Sequence, residues 1–223
     1  MREVYRFPAT IGIGISSILL LTGCDVESRM PQTITQDIND SRAVLEALDN
    51  AQTITLQKRL ISWRDHWNVS VDGTQVAEVR GLIVPVIGDT YSMFSNAGNL
   101  VGSEGEEFRL ALNEARLFDY NNEYIGSINQ NFTLLLYNFN LTNPHGEQIG
   151  YLQQNFGIAL NATLNNTNSS CAYRIRKAVL SLGARITVER CGETEIPAIN
   201  AVWMAMILNE IDEARNSSRS NTD

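Results

Sequence analysis

The sequence predicts a mainly β protein, a sheet wrapped into a barrel around a buried C-terminal helix, and three observations predict it. A near-repeat runs through the middle of the chain: EQIGYLQQNF at residues 147–156 restates EYIGSINQNF at 123–132, 24 residues earlier. Turn residues separate runs of alternating apolar residues throughout that region. The chain then ends on IPAINAVWMAMILNEIDEA at 196–214, in which residues 201–208 are apolar without exception.

The N-terminus is an address. Arg2 and Arg6 precede the apolar run IGIGISSILLL, shorter than the about 20 residues of a membrane span and suited to a secretory signal core. The run ends in LTGC at residues 21–24. That tetrapeptide resembles the bacterial lipobox, in which the cysteine, here Cys24, takes a diacylglycerol thioether and becomes the new N-terminus after cleavage. The alternative is a short buried helix ending in an ordinary cysteine. Asp25 stands where, by resemblance to the sorting pattern of enteric bacteria, an aspartate favours retention at the inner membrane. Acyl chains contribute about 0.8 kcal/mol per buried methylene, so two or three of them anchor a domain without any helix crossing the bilayer. The expected location is the periplasmic side of the bacterial cell envelope.

Residues 1–23 are therefore read as a signal peptide, which leaves about 200 residues, enough for one sizeable domain. The net charge is −8, and nucleic acid, which needs clustered Lys and Arg, is excluded as a partner. Residues 24–52 read as a lipidated N-terminus and polar tether, with a short helix at SRAVLEALDN, where Val44, Leu45 and Leu48 share a face. The domain spans 53–214, and 215–223 is a polar, frayed tail.

Within the domain four segments share a turn residue, two spacers, a β-branched residue and then Gly or Ala: GTQVAEV, GNLVGSE, NEYIGSI and GEQIGYL. Their β-branched residues, Val76, Val101, Ile125 and Ile149, are 25, 24 and 24 residues apart, which accommodates two strands and two turns each time. The second copy departs from the pattern, with Glu104 where the others place Val79, Ile128 and Leu152. VDGT, NAGN, YNNE and NPHG supply the turns. FTLLLYNFNL is nearly continuous in apolar character, as in a strand covered on both faces, whereas QVAEVRG alternates and has one wet face. Gly126 and Gly150 permit close approach of another strand or a helix.

The C-terminal segment breaks this pattern. Pro197 suits a first helical turn, and a helix that is apolar all round has no solvent face. Its apolar stretch falls well short of a membrane span, so the strands enclose it. TLQKRLISWRDHWNVSVDGTQVAEVRG, GDTYSMFSNAGNLVG, ARLFDYNNEYIGSINQNF and the final helix resemble the LURP-one-related group of the tubby C-terminal-like superfamily, over residues 53–213. The resemblance implies a barrel of about twelve strands threaded by the helix, and work close to membranes, since tubby domains bind phosphoinositides and the related scramblases act on bilayers. The acidic balance of this chain departs from the basic patch of tubby domains, so phosphoinositide is not carried over.

Two cysteines, Cys171 and Cys191, flank AYRIRKAVLSLGARITVER, read as a final hairpin turning at residues 181–183. In an oxidising compartment they can form a disulfide that stabilises the domain by roughly 3 kcal/mol. Strand parity places them on opposite faces unless a bulge or the strand end corrects it, and two free thiols are the alternative. The same hairpin carries Arg174, Arg176, Lys177, Arg185 and Arg190 against Glu189. These cations are the candidate contact for anionic headgroups or an acidic envelope partner. The competing reading is a solvated face that discourages strand addition.

No catalytic residue or cofactor is assigned. His66 and His145 lack partners at zinc-ligand spacing, and no nucleophile elbow, phosphate loop or HExxH occurs. Asp65 beside His66 is the one pair suited to acid–base work, with a polar strand connection as the alternative. Asp119, Asn121 and Glu123 alternate like calcium ligands but lack the Gly turn and distal acid of a calcium loop, and read as a hairpin turn. EGEEF at 104–108 reads as a solvated loop, Trp63 and Trp67 as wall packing, and His145 as part of the NPHG turn. The expected function is a noncatalytic binding or scaffolding module at a membrane surface. The alternative is a lipid-handling protein or enzyme that uses the barrel mouth near Asp65 and His66.

Overall fold

The computed structural model describes residues 36–59, 65–84, 88–109, 112–133, 136–154, 160–178 and 184–220. Helix α1 (Ile38–Asn50) precedes strands β1 (Thr53–Lys58), β2 (His66–Val71), β3 (Thr74–Val84), β4 (Gly88–Ser95), β5 (Leu100–Arg109) and β6 (Leu112–Asp119). Strands β7 (Tyr124–Thr133), β8 (Leu136–Thr142), β9 (Gln148–Gln154), β10 (Asn161–Asn166), β11 (Cys171–Lys177) and β12 (Arg185–Arg190) follow, and helix α2 (Ala198–Ser220) ends the fold. Every strand pairs antiparallel with its sequence neighbours, and β12 pairs with β1, so the sheet closes into an up-and-down barrel of twelve strands. Closure removes the free edges that would otherwise recruit another chain.

The 24-residue repeat is a hairpin with a fixed turn and a fixed bulge. Ser95, Asp119, Asn143 and Asn166 each donate their N–H to the carbonyl four residues on, and their carbonyls accept from Gly98, Asn122, Gly146 and Ser169. Those four residues have φ of 88°, 63°, 80° and 67°, the left-handed conformation that closes a three-residue hairpin loop. Asp119 Oδ1 and Asn143 Oδ1 accept further amides two and four residues on, which explains the choice of Asp and Asn there. The pairing then slips after Val69, Met93, Leu117, Leu141 and Leu164, and all five of these side chains are buried. A bulge sharpens the local twist. Repeating it around the wall curves the sheet toward closure. The first hairpin turns instead on two residues, Asp72 and Gly73, with φ of 47° and 89°, and this shorter loop accounts for the 25-residue first interval. Gly126 sits at φ +142° where a Cβ would run into the Thr142 carbonyl. At Gly150 a Cβ would stand 2.6 Å from Ile196 Cδ1 and 2.8 Å from Asn165 O, so a neighbouring strand approaches at both glycines, and the connection into α2 approaches at Gly150.

Helix α2 runs down the barrel axis. Residues 198–209 are buried on every side, facing an inner wall that includes Leu56, Trp67, Val79, Met93, Leu117, Ile128, Leu152 and Ile175. Each large apolar side chain so enclosed contributes about 1.5–3 kcal/mol. The interior is therefore a packed core and not a channel.

Helix α1 lies across the end of the barrel where the short turns gather. Asp37 caps it, accepting from Asn39 N and Asp40 N, and Val44 and Leu48 are buried beneath it as the apolar face predicts. Gln36 Nε2 donates to the carbonyls of Leu100 and Tyr120 at 2.6 and 3.2 Å, and Ser41 Oγ donates to Leu100 O at 2.7 Å. Asp40 accepts from Ser95 Oγ and from Asn99 Nδ2. The segment read as a tether as far as residue 52 is thus part of the folded unit from about Gln36 onward. Two further expectations are corrected. EGEEF lies in β5, and Glu104 points into the barrel with 1% of its surface exposed, because it takes the inner-wall position of Val79, Ile128 and Leu152. The helix continues to Ser220, through most of the segment read as a frayed tail. Arg2, Arg6, the lipobox with Cys24, Asp25, Trp63 and the turn at residues 181–183 lie outside the described residues.

Candidate functional site

The barrel end remote from α1 carries a polar collar around α2. Lys58, last residue of β1, follows Ile54 and Leu56 on the inner face. Its Nζ reaches Asp65 Oδ1 at 2.9 Å and Glu213 Oε2 at 3.2 Å, over the ring of Trp67. Tyr91 donates its hydroxyl to Asp65 Oδ2 at 3.2 Å, and Asn209 Nδ2 donates to Glu213 Oε1 at 3.0 Å. Across the same end Lys177 Nζ meets Asp212 Oδ2 at 2.7 Å. Burial works to lower the pKa of Lys58, but the hydrogen bonds and charges of Asp65 and Glu213 outweigh it, and the pKa is raised. The collar fixes the depth at which the helix sits. Sequence reading missed Lys58, Asp212 and Glu213 because their partners lie more than thirty residues away for two of the three contacts, and only the i, i+4 spacing of Asn209 and Glu213 hinted at a shared helix face.

His66 belongs to a different network. Its Nε2 lies 2.7 Å from Glu78 Oε2, which also accepts from Arg59 at 3.2 Å, while Glu78 Oε1 accepts from Arg80. Arg80 stacks on Phe94 with its guanidinium carbon 4.8 Å from the ring centroid, and Arg59 Nε donates to Asn68 Oδ1. Burial acts to raise the pKa of Glu78, yet the hydrogen bonds and charges of His66 and Arg80 prevail and lower it. This cluster lies on the outer face of β2 and β3, since the neighbours Trp67 and Val79 point inward. Asp65 and His66, adjacent in sequence, therefore hold separate partners on opposite sides of the wall, and Asp65 does not orient the imidazole. His145 lies exposed in the β8–β9 turn, and Asp119, Asn121 and Glu123 form the β6–β7 turn. Among the described residues no group of three His, Cys, Asp or Glu stands close enough to hold a metal ion.

The five cations of the last hairpin divide among three places. Lys177 points into the collar. Arg190 lies at the opposite end, 5.1 Å over the ring of Tyr173, with its guanidinium on the carbonyls of Asp49 and Ala51 at the C-terminus of α1, where a cation opposes the helix dipole. Arg176 pairs with Glu189 at 3.3 Å. Arg174 and Arg185 remain on the outer face without an ion pair among the described residues. Tyr173 donates to Ile196 O at 3.0 Å, and burial pushes its phenol up to about 12.

Cys171 and Cys191 form a disulfide with their Cα atoms 5.7 Å apart. The parity conflict is resolved by a bulge and by the strand end: the pairing with β10 skips Ala172, so that Ala172 and Tyr173 are both buried and Cys171 changes face, and β12 stops at Arg190, with the N–H of Cys191 donated to Ala172 O. The bridge holds the start of the connection into α2 against the wall.

A closed antiparallel β-barrel filled by its own C-terminal helix is the class of protein these features define. Its twelve strands about one helix are the architecture that the resemblance to the tubby C-terminal-like superfamily implied. No protein-family model and no curated protein matches the chain. Among solved structures it is similar to the X-ray structure of a protein from Arabidopsis thaliana, with 9% sequence identity and a TM-score of 0.48, covering 76% of this chain and 98% of that one.

Proposed function

We propose that the chain is a lipid-anchored protein of the bacterial envelope whose barrel is a noncatalytic binding or scaffolding module at the periplasmic face of a membrane. The observation that supports it is the filled interior. Residues 198–209 of α2 occupy the space that a substrate or acyl chain would need, and the one sequence-adjacent acid–base pair, Asp65 and His66, is divided between two networks. Function then belongs to the outer surface and to the anchor. Cys24 carries the lipid in this reading, Asp25 favours the inner membrane, and no described helix is long and apolar enough to cross a bilayer. Arg174 and Arg185 are the members of the basic hairpin free to meet anionic headgroups or an acidic envelope partner.

Two measurements test the proposal. Cys24→Ser in the native host is expected to move the protein from the membrane fraction to the soluble fraction; unchanged sedimentation with membranes overturns the anchor. In the full chain carrying Cys24→Ser, the pair Arg174→Glu and Arg185→Glu is expected to weaken association with phosphatidylglycerol vesicles by more than about tenfold, since each cation near a charged surface contributes about 1 kcal/mol. Equal association by both proteins assigns these arginines to a solvated wall instead.

A further inference from the structure

Strands β7, β8, β9 and β10 contain no Asp, Glu, Lys, Arg or His. They are adjacent in the barrel, so a third of its circumference is free of charged strand residues. The flanks are different in kind: β5 and β6 carry Glu104, Glu106, Glu107, Arg109, Glu114, Arg116 and Asp119, and β11 and β12 carry the basic hairpin. The neutral wall is not apolar. With Ile128, Phe139, Leu141, Leu152, Ala162 and Leu164 buried against the core, the alternate positions Asn129, Asn138, Asn140, Tyr151, Gln153 and Thr163 face outward. Register aligns them in two rows. Asn129, Asn140 and Tyr151 stand opposite one another in series, and Asn138, Gln153 and Thr163 form the next row, which runs on to Arg174.

Asparagine is depleted in strands, because its amide competes with the backbone for hydrogen bonds. A wall that needs only to stay soluble is served by Lys, Glu and Thr. Local rules broken without a compensating gain mark functional positions. Here no gain is evident: Asn138, Asn140, Tyr151, Gln153 and Thr163 make no side-chain hydrogen bond among the described residues, and Asn129 makes one, to Ser127 Oγ at 2.8 Å.

We propose that the outer wall of β7 to β10 binds a neutral glycan strand. Each amide presents a donor and an acceptor side by side, the pattern that matches neighbouring sugar hydroxyls, every one of which both donates and accepts. Tyr151 adds an aromatic face in the middle of the wall for the C–H face of a pyranose ring. Strand spacing of about 4.8 Å sets successive polar side chains at intervals comparable to one sugar unit, so each row, which crosses three strands, accommodates a short oligosaccharide. Charge decides the class of partner. An anionic polymer finds no cation on this wall, a bilayer or greasy protein would desolvate its amides at a cost of about 1–3 kcal/mol each, and an uncharged polyhydroxylated chain meets neither penalty. The proposal does not depend on the lipid anchor.

The test uses the full chain purified in detergent and titrated calorimetrically with N-acetylglucosamine hexasaccharide, cellohexaose and maltohexaose. Binding of at least one is expected, and Asn138→Thr with Asn140→Thr and Gln153→Thr is expected to weaken it at least tenfold. Threonine keeps or improves strand propensity, so a melting temperature no lower than that of the parent shows that binding was lost without unfolding. Arg174→Glu should leave the affinity unchanged. The proposal is overturned if none of the three sugars binds, if the threonine variant binds equally well, or if the wall proves to hold a second copy of this chain, seen as a dimer that the threonine substitutions dissolve.

Discussion

Asp49 shows how one side chain joins parts of the fold that are distant in sequence. Its Oδ1 accepts from Ala198 N at 2.7 Å, so a residue near the end of α1 caps the first turn of α2. Asp49→Ala is expected to destabilise the fold by about 1–2 kcal/mol, the usual cost of a lost cap, as read by urea denaturation. Glu78 and Asp40 set the response to acid. Glu78 is held below its ordinary value of 4.5, against its own burial, by His66 and Arg80. Asp40 is held below 3.8 by the hydrogen bonds of Ser95 and Asn99. A depressed folded pKa stabilises above the unfolded value, and the contribution is lost as pH falls through the folded one. Denaturation midpoints should therefore hold steady from neutral pH to about 5 and decline below it. Glu78→Gln should flatten part of that decline. Lys58 has the opposite sign: its raised pKa gives stability that is complete below 10.5 and is lost as pH rises through the higher folded value.

At the scale of the element, turns and bulges can be separated by substitution. Gly98 has φ +88° with open space around it, whereas Gly126 has φ +142° and the Thr142 carbonyl where a Cβ would go. Gly98→Ala is expected to cost about 1 kcal/mol for the backbone alone. Gly126→Ala must also displace the neighbouring strand and should cost several times as much, with both read from thermal unfolding. The period of 24 was legible in the sequence because three successive hairpins restate the same local chemistry: Ser95, Asp119 or Asn143 starts the turn, a left-handed residue follows three positions on, and Gly102, Gly126 or Gly150 stands beyond. The enclosed helix was legible because residues 201–208 offer no wet face. The docking of α1 was not, since Gln36 and Ser41 bind backbone carbonyls of Leu100 and Tyr120, and a carbonyl leaves no mark in a sequence. Glu104 misled for a related reason. An acid on the inner face breaks the alternation by which a strand is recognised, and EGEEF reads as loop although Glu104 and Gly105 pair on both sides and the rest pairs with β6.

At the scale of the whole molecule, wall and helix have no separate cores. Buried residues of α1, all twelve strands and α2 form one cluster, so unfolding should be a single transition. Trp203→Ala, in the middle of the buried stretch 198–209 of α2 and itself fully buried, is expected to cost about 3–5 kcal/mol and to lower the whole transition instead of releasing the helix alone. Reduction of the Cys171–Cys191 bridge, which spans 20 residues, should cost about 3 kcal/mol, seen as a lower melting temperature in dithiothreitol.

The axial position of α2 also fixes the order of events during biosynthesis. A ribosome releases the chain from its amino end, and the twelve hairpin arms emerge before the segment that they must surround. Until that last stretch is free the arms have nothing to close upon, and a stable cylinder cannot form prematurely. The polypeptide thereby stays pliable until this last helix has emerged, and only then commits to its final shape.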